Sequence, residues 1–188
     1  MNYGKINYTD IANGPGVRVS LFVSGCRNKC EGCFNQESWD FNYGKKFTIS
    51  TLTNLLLALD KPYISGLTIL GGDPLEPENL PTVTSICRTI KTINDSKNIW
   101  IYTGYLYEDF QNLELFDYVD VVVDGKFIES EKDISLQFRG SKNQKIVDVK
   151  RSKMENEVKL WWDFHNKNSQ KHNKNRVKVF VKITKSVC

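Results

Sequence analysis

Val17-Arg18-Val19-Ser20-Leu21-Phe22-Val23-Ser24-Gly25-Cys26-Arg27-Asn28-Lys29-Cys30-Glu31-Gly32-Cys33-Phe34 is the stretch that decides the architecture. Its first seven residues alternate and are rich in β-branched side chains, so they read as a strand. The strand runs directly into a loop that holds Cys26, Cys30 and Cys33 in a C-x3-C-x2-C spacing. Three thiolates on one short loop can share one metal centre. A structural zinc site is closed by four protein ligands, and an iron–sulfur cube takes four as well. Three local cysteines therefore suggest a cluster with one iron left for an outside ligand. A closed zinc site would draw a fourth ligand from Cys87, Cys188, His165 or His172. Cys87 falls on the apolar side of its expected helix, where a cysteine acts as a small hydrophobe, and the other three lie near the C-terminus.

Outward from this loop, the pattern alternates. Ser50–Asp60 reads as a helix with a Ser or Thr cap. Gly66–Leu70 reads as a short strand ending in Gly71-Gly72-Asp73-Pro74. Glu78–Asn94 repeats Leu80, Val83, Ile86, Cys87 and Ile90 at helical spacing. Asn98–Thr103 is expected as a strand ending at Gly104, residues 105–113 as a short helix, and Val119–Val123 as a strand closed by Asp124-Gly125. A polar loop over 129–144 leads to a last strand, Lys145–Val149. Strands alternating with helices predict parallel pairing through right-handed crossovers. The unusual residues stand at strand C-terminal ends, where such sheets and barrels carry their active sites. A full eight-fold barrel needs about 200 residues or more. The expected fold is therefore α/β, a partial, open (β/α) barrel over residues 1–151, with a short basic C-terminal extension over 152–188.

The chain has 188 residues, 40% hydrophobic and 26% charged, as an ordinary globular protein does. Its net charge of +4 is concentrated in the extension, where Lys153, Lys159, Lys167, Lys171, Lys174, Arg176, Lys178, Lys182 and Lys185 outnumber Glu155, Glu157 and Asp163. The nearly neutral body offers no electrostatic footprint for nucleic acid. No apolar run approaches the roughly 20 residues that span a bilayer, and no signal peptide is evident, so a cytoplasmic location without membrane contact is expected. In the extension, Met154–Phe164 is expected as a helix, 165–176 as a polar linker, and Val177–Ile183 as a strand. Both histidines lie there, so the body lacks the pairings of general-base hydrolysis. The double glycine at 71–72 suits close approach of a ligand to the sheet edge, or simply a turn; Asp124-Gly125-Lys126 also reads as a hairpin turn.

C-x3-C-x2-C after a first strand resembles the signature of the radical S-adenosylmethionine superfamily. The resemblance implies that Cys26, Cys30 and Cys33 hold a [4Fe–4S] cluster whose fourth iron is chelated by S-adenosyl-L-methionine. One electron then cleaves the sulfonium to methionine and a 5′-deoxyadenosyl radical. Many members have an aromatic residue before the third cysteine; here Gly32 stands there and Phe34 follows, and Gly32, Cys33 and Phe34 are expected at the cofactor. A Gly-Gly-Glu/Asp segment in the superfamily holds the methionyl amino group, which implies that role for Gly71, Gly72 and Asp73. An Asp-x-Lys in glycyl-radical activases contacts the same cofactor, which implies Asp124 and Lys126. The succession Asn13-Gly14-Pro15-Gly16-Val17-Arg18, Leu70–Leu75, Tyr102-Thr103-Gly104-Tyr105, Val123–Phe127 and Phe138-Arg139-Gly140-Ser141-Lys142-Asn143-Gln144 resembles the activating proteins of the anaerobic (class III) ribonucleoside-triphosphate reductase. This resemblance covers roughly residues 1–150. It implies as partners the glycyl-radical large subunit of that reductase and reduced flavodoxin or ferredoxin as electron donor. The alternatives are an activase of the pyruvate formate-lyase type, which is not expected to carry Phe138–Gln144, and a non-enzymatic zinc-binding interaction module.

Overall fold

The computed structural model describes residues 1–162. Its strands are β1 (Asn2–Asp10), β2 (Val17–Val23), β3 (Lys45–Lys46), β4 (Ile64–Gly71), β5 (Asn98–Tyr102), β6 (Val121–Asp124) and β7 (Lys145–Asp148). The helices are α1 (Ile49–Leu59), α2 (Leu80–Ile93), α3 (Tyr107–Phe110) and α4 (Val149–Glu155). All seven strands join one open sheet in the order β3-β1-β2-β4-β5-β6-β7. The central run β2-β4-β5-β6 is parallel, as the alternation of strands and helices predicts.

Both flanks depart from the expected pattern. β7 pairs antiparallel to β6, with Val122 opposite Val147. The connection between them carries only a 3₁₀ turn, Glu129–Glu131, and no helix to cross the sheet face, so the chain returns beside its own strand. β1 was not expected as a strand. It pairs antiparallel to β2 and is largely exposed, so its Asn, Lys and Asp residues hide any apolar alternation.

The sheet has two different faces. On one, Val19, Leu21, Leu67, Ile69, Ile99, Ile101 and Val122 pack against Leu55 and Leu59 of α1 and Val83, Ile86, Cys87 and Ile90 of α2. Thr48 caps α1 with a capping box: its Oγ1 accepts from the Thr51 amide, and the Thr51 hydroxyl accepts from the Thr48 amide. Pro81 sits in the first turn of α2, where its missing N–H costs nothing. The other face buries Trp100, Val123, Ile146 and the whole of Arg18. The Arg18 guanidinium donates to Thr68 Oγ1 (2.7 Å), Asn98 Oδ1 (2.5 Å) and the Leu67 carbonyl (2.7 Å), and lies 5.5 Å from the Trp100 ring. A buried charge survives only when its donors are used in this way.

The C-terminal part corrects another expectation. α4 opens on the Asp148 cap and stops at Asn156 in the left-handed conformation (φ 51°), so the helix expected over Met154–Phe164 is broken at 156–160; residues 161–162 are helical again, and 163–164 lie outside the described residues. Within α4, Ser152 is buried. Beyond it, Asp148 N–H donates to the Lys159 carbonyl, and Leu160 bridges antiparallel to Val147. Trp161 then meets Trp100 edge-on at 5.2 Å, and Trp162 stacks on Phe138 at 6.3 Å. The expected linker at 165–176 and strand Val177–Ile183 lie outside the described residues. Among the described residues, no helix is long and apolar enough to cross a membrane.

Candidate metal centre

The parallel strands deliver their C-terminal ends to one place. β2 opens into the cysteine loop, β4 ends at Gly71-Gly72-Asp73, β5 at Thr103-Gly104, and β6 at Gly125. A cavity of about 230 Å³ lies among them, with Cys26, Cys30 and Cys33 all on its wall. The loop is shaped by residues of positive φ: Gly25 (96°), Lys29 (46°) and Gly32 (71°). Its start is tied down by Gly25 N–H to the Ser38 carbonyl (2.7 Å) and Cys26 N–H to the Trp39 carbonyl (3.3 Å). All three cysteines are free thiols. Burial pushes the Cys26 thiol up, against hydrogen bonds from the Asn28 and Lys29 amides that favour its thiolate. Among the described residues, no three His, Cys, Asp or Glu side chains already converge as the ligands of one ion. The donor set itself, three thiols on one loop and one cavity wall, fits the soft-ligand preference of an iron–sulfur cluster. Cys87 does not join them. It is wholly buried in the apolar core, and burial pushes its thiol far up.

Gly71 and Gly72 carry the sheet edge into the loop. Gly72 N–H donates to the Val23 carbonyl (2.7 Å) and Asp73 N–H to the Gly25 carbonyl (2.8 Å). The backbones approach so closely that a Cβ on Gly72 would stand 2.5 Å from the Gly25 oxygen. Gly71 has φ +110°, which a side chain would resist.

The Asp73 carboxylate is a buried knot. It accepts from Thr103 Oγ1 (2.8 Å), the Gly104 amide (2.8 Å), the Leu75 amide (2.9 Å) and Asn28 Nδ2 (2.8 Å). It thus ties the ends of β4 and β5 to the cysteine loop. Desolvation raises its pKa to about 6, with these hydrogen bonds pulling the other way. Asp73, Gly71, Gly72 and the 82%-exposed Phe34 line the same cavity as the cysteines. Gly32, Asp124 and Lys126 are not on its wall. Asp124 is fully buried and accepts from the Tyr107 and Lys145 amides; Lys126 is exposed.

Other residues reach the cavity that were not expected at the site. Asn28 lies within the cysteine spacing, Tyr102 and Thr103 at the end of β5, and Gly140 and Gln144 in the polar loop. The Phe138–Gln144 segment, legible only as a signature, has a structural use. Gln144 Oε1 accepts from the Gly140 and Ser141 amides, and its Nε2 donates to the Gly125 carbonyl. The segment is thereby folded back onto the end of β6, beside the cavity. Only tertiary pairing reveals this, because Gly125 and Gln144 are far apart in sequence.

Residues 12–147 match the family described as "4Fe-4S single cluster domain". The chain is also similar to proteins named anaerobic ribonucleoside-triphosphate reductase-activating protein. That of enterobacteria phage T4 is 45% identical over 148 residues, covering 78% of this chain and 93% of the phage protein. Those of Vibrio cholerae and Escherichia coli K12 are 41% and 39% identical over 150 residues, each covering 78% of this chain and 97% of the relative.

Proposed function

The chain belongs to the family of anaerobic ribonucleoside-triphosphate reductase-activating proteins and carries a 4Fe–4S single cluster domain; from this premise we propose that it is a radical S-adenosylmethionine activase of such a reductase. Cys26, Cys30 and Cys33 would hold the cluster, which would supply the one electron that splits S-adenosylmethionine into methionine and a 5′-deoxyadenosyl radical able to take a hydrogen atom from a backbone glycine of the reductase. The observation that carries the reading is the shared cavity: three thiols and the Gly71-Gly72 backbone face one space at the C-terminal edge of the sheet.

The chain's own residues have separable parts in this scheme. The three cysteines are the iron ligands. Gly71 and Gly72 let the methionyl end approach backbone without Cβ interference. Asp73 acts mainly by holding Asn28, Thr103 and Gly104 in place. Phe34 and Cys33 border the cofactor space, with Gly32 shaping the turn before them. Asp124 orders the start of α3 and of β7, and the exposed Lys126 is a point charge for the cofactor carboxylate. The open sheet, read as a partial barrel over residues 1–151, leaves room for a loop of the reductase, and 152–188 is an addition to it. Reduced flavodoxin or ferredoxin supplies the electron in the cytoplasm.

The test is anaerobic reconstitution of the full chain with iron and sulfide. A brown protein that cleaves S-adenosylmethionine under reductant, and yields a glycyl radical by electron paramagnetic resonance in the candidate reductase, is expected. Cys30→Ser should lose stable iron and cleavage while keeping the fold. Undiminished cleavage by that variant refutes the ligand assignment, and one tight zinc with no cleavage refutes the whole reading.

A further inference from the structure

Glu76 has no exposed surface, yet it carries a carboxylate beside the cysteine loop. A buried carboxylate requires partners, and those of Glu76 are specific. Oε1 accepts the backbone N–H of Arg27 at 2.6 Å, the amide next to Cys26. Oε2 accepts from Arg27 Nη1 at 2.5 Å, and the Tyr105 hydroxyl approaches Oε1 at 3.3 Å. The backbone of Glu76 is itself immobilised, because its carbonyl accepts the Asn79 and Leu80 amides (2.8 and 2.9 Å) at the entry to α2. A rigid path therefore runs from the start of α2, through one side chain, to the peptide that follows a cluster cysteine.

Arg27 makes a second ion pair with Glu78, and its guanidinium lies 4.4 Å from the centre of the Phe41 ring. The Arg27–Glu78 pair is exposed on both sides, so water and salt weaken it. The Glu76 contact differs in kind: its carboxylate is fully buried and, besides the guanidinium, it grips backbone. Asp73 holds the same loop through the Asn28 side chain, whose Nδ2 donates to it. The motif search passed over Glu76 because Leu75-Glu76-Pro77 carries no chemistry of its own; the role comes from what it touches.

We propose that Glu76 is a positioning residue for the candidate cluster, whose carboxylate holds the Arg27 peptide and so sets Cys26 for iron binding. The inference rests on the reading of Cys26, Cys30 and Cys33 as cluster ligands. Glu76→Ala removes both the acceptor and the charge; Glu76→Gln keeps an acceptor for the Arg27 amide and removes the charge.

The experiment uses the full chain, metal-free and after anaerobic loading with iron and sulfide. In metal-free Glu76→Ala, the Arg27 amide should exchange with deuterium at least about tenfold faster than in wild type, the effect of losing one charge-assisted hydrogen bond. Sheet amides such as Val19 and Leu67 should be unmoved. Cys26 should also alkylate faster, and a chelator should strip iron from the loaded variant several-fold faster. Glu76→Gln should fall between the two and serves alone if the alanine variant does not fold. Wild-type rates of Arg27 exchange, Cys26 alkylation and iron loss in the variants overturn the proposal. If wild-type protein takes up no iron at all, the cluster reading fails, while exchange and alkylation in the metal-free chain still decide the role of Glu76.

Discussion

Gly72 shows how little room the candidate centre leaves. Its Cα belongs to a segment whose amides bond to Val23 at the end of β2 and to Gly25 in the cysteine loop, and a methyl group there would collide with the Gly25 carbonyl. Backbone cannot yield as a flexible side chain can. Gly72→Ala should therefore push the cysteine loop away from β4. The expected outcome is a lower thermal midpoint and a loss of iron retention after reconstitution, measured on the same sample. Iron retention equal to wild type would show that the loop is placed independently of the double glycine. Cys87 makes the opposite point, since its chemistry is cancelled by burial, and a sulfur atom in the core serves only to fill space.

Between elements, Asp120 is the junction of three. Its carboxylate accepts the Ile99 amide of β5 (2.8 Å) and pairs with Lys91 of α2 (2.8 Å) and Lys150 of α4 (2.9 Å). Desolvation raises its pKa, but the bonds from Lys91, Lys150 and the Ile99 amide outweigh it, so the folded value lies below the ordinary 3.8. An acid lowered by folding stabilises the native state at pH values above its unfolded pKa, and the contribution fades as pH falls through the folded one. Asp120→Asn should cost about 1–3 kcal/mol at pH 7 in urea unfolding. The gap between variant and wild type should shrink as the pH is taken from 5 toward 3. A pH-independent gap would mean that the carboxylate charge is not what matters. The same logic of unlike elements meeting explains the sheet flanks. A helix between strands forces parallel pairing, and its absence between β6 and β7 permits the antiparallel return.

Taken as a molecule, the protein closes one open side of its sheet with its own chain. Leu160 pairs with β7, and Trp161 and Trp162 cover Trp100 and Phe138 on the face that also buries Arg18. A chain ending at residue 155 keeps α4 but uncovers these rings. Relative to one ending at 162 it should lose about 2–4 kcal/mol, from lost apolar burial and edge-to-face contacts. Urea unfolding followed by circular dichroism measures the difference; equal midpoints would show that the tryptophans pack without stabilising.

Much of this was legible from local pattern. β2, α1, α2, β4, β5 and β6 each announce themselves within a window of a dozen residues, because burial of one helix stripe imposes a period on the side chains and burial of both strand faces gives a short apolar run. The cysteine spacing is likewise local, since the ligands sit on one loop. β1 escaped because its many polar, half-exposed residues carry no such period. The end of α4 escaped because Asn156 stops a helix by its backbone conformation rather than by hydrophobicity. Asn28 and Glu76 escaped, and Thr103 and Gln144 were legible only as members of signature segments, for one reason: a polar residue's role depends on the partner it finds.

Composition and order of residues were enough to predict an α/β body with its cysteines and double glycine at strand ends, because the repeating patterns that encode helices and strands are short-ranged. Tertiary structure alone settled which polar groups are buried, which backbones touch at Gly25 and Gly72, and which carboxylate grips Arg27. Those choices follow from pairings across about fifty residues of chain, where hydrogen-bond geometry and exclusion of water act only once the sheet has assembled.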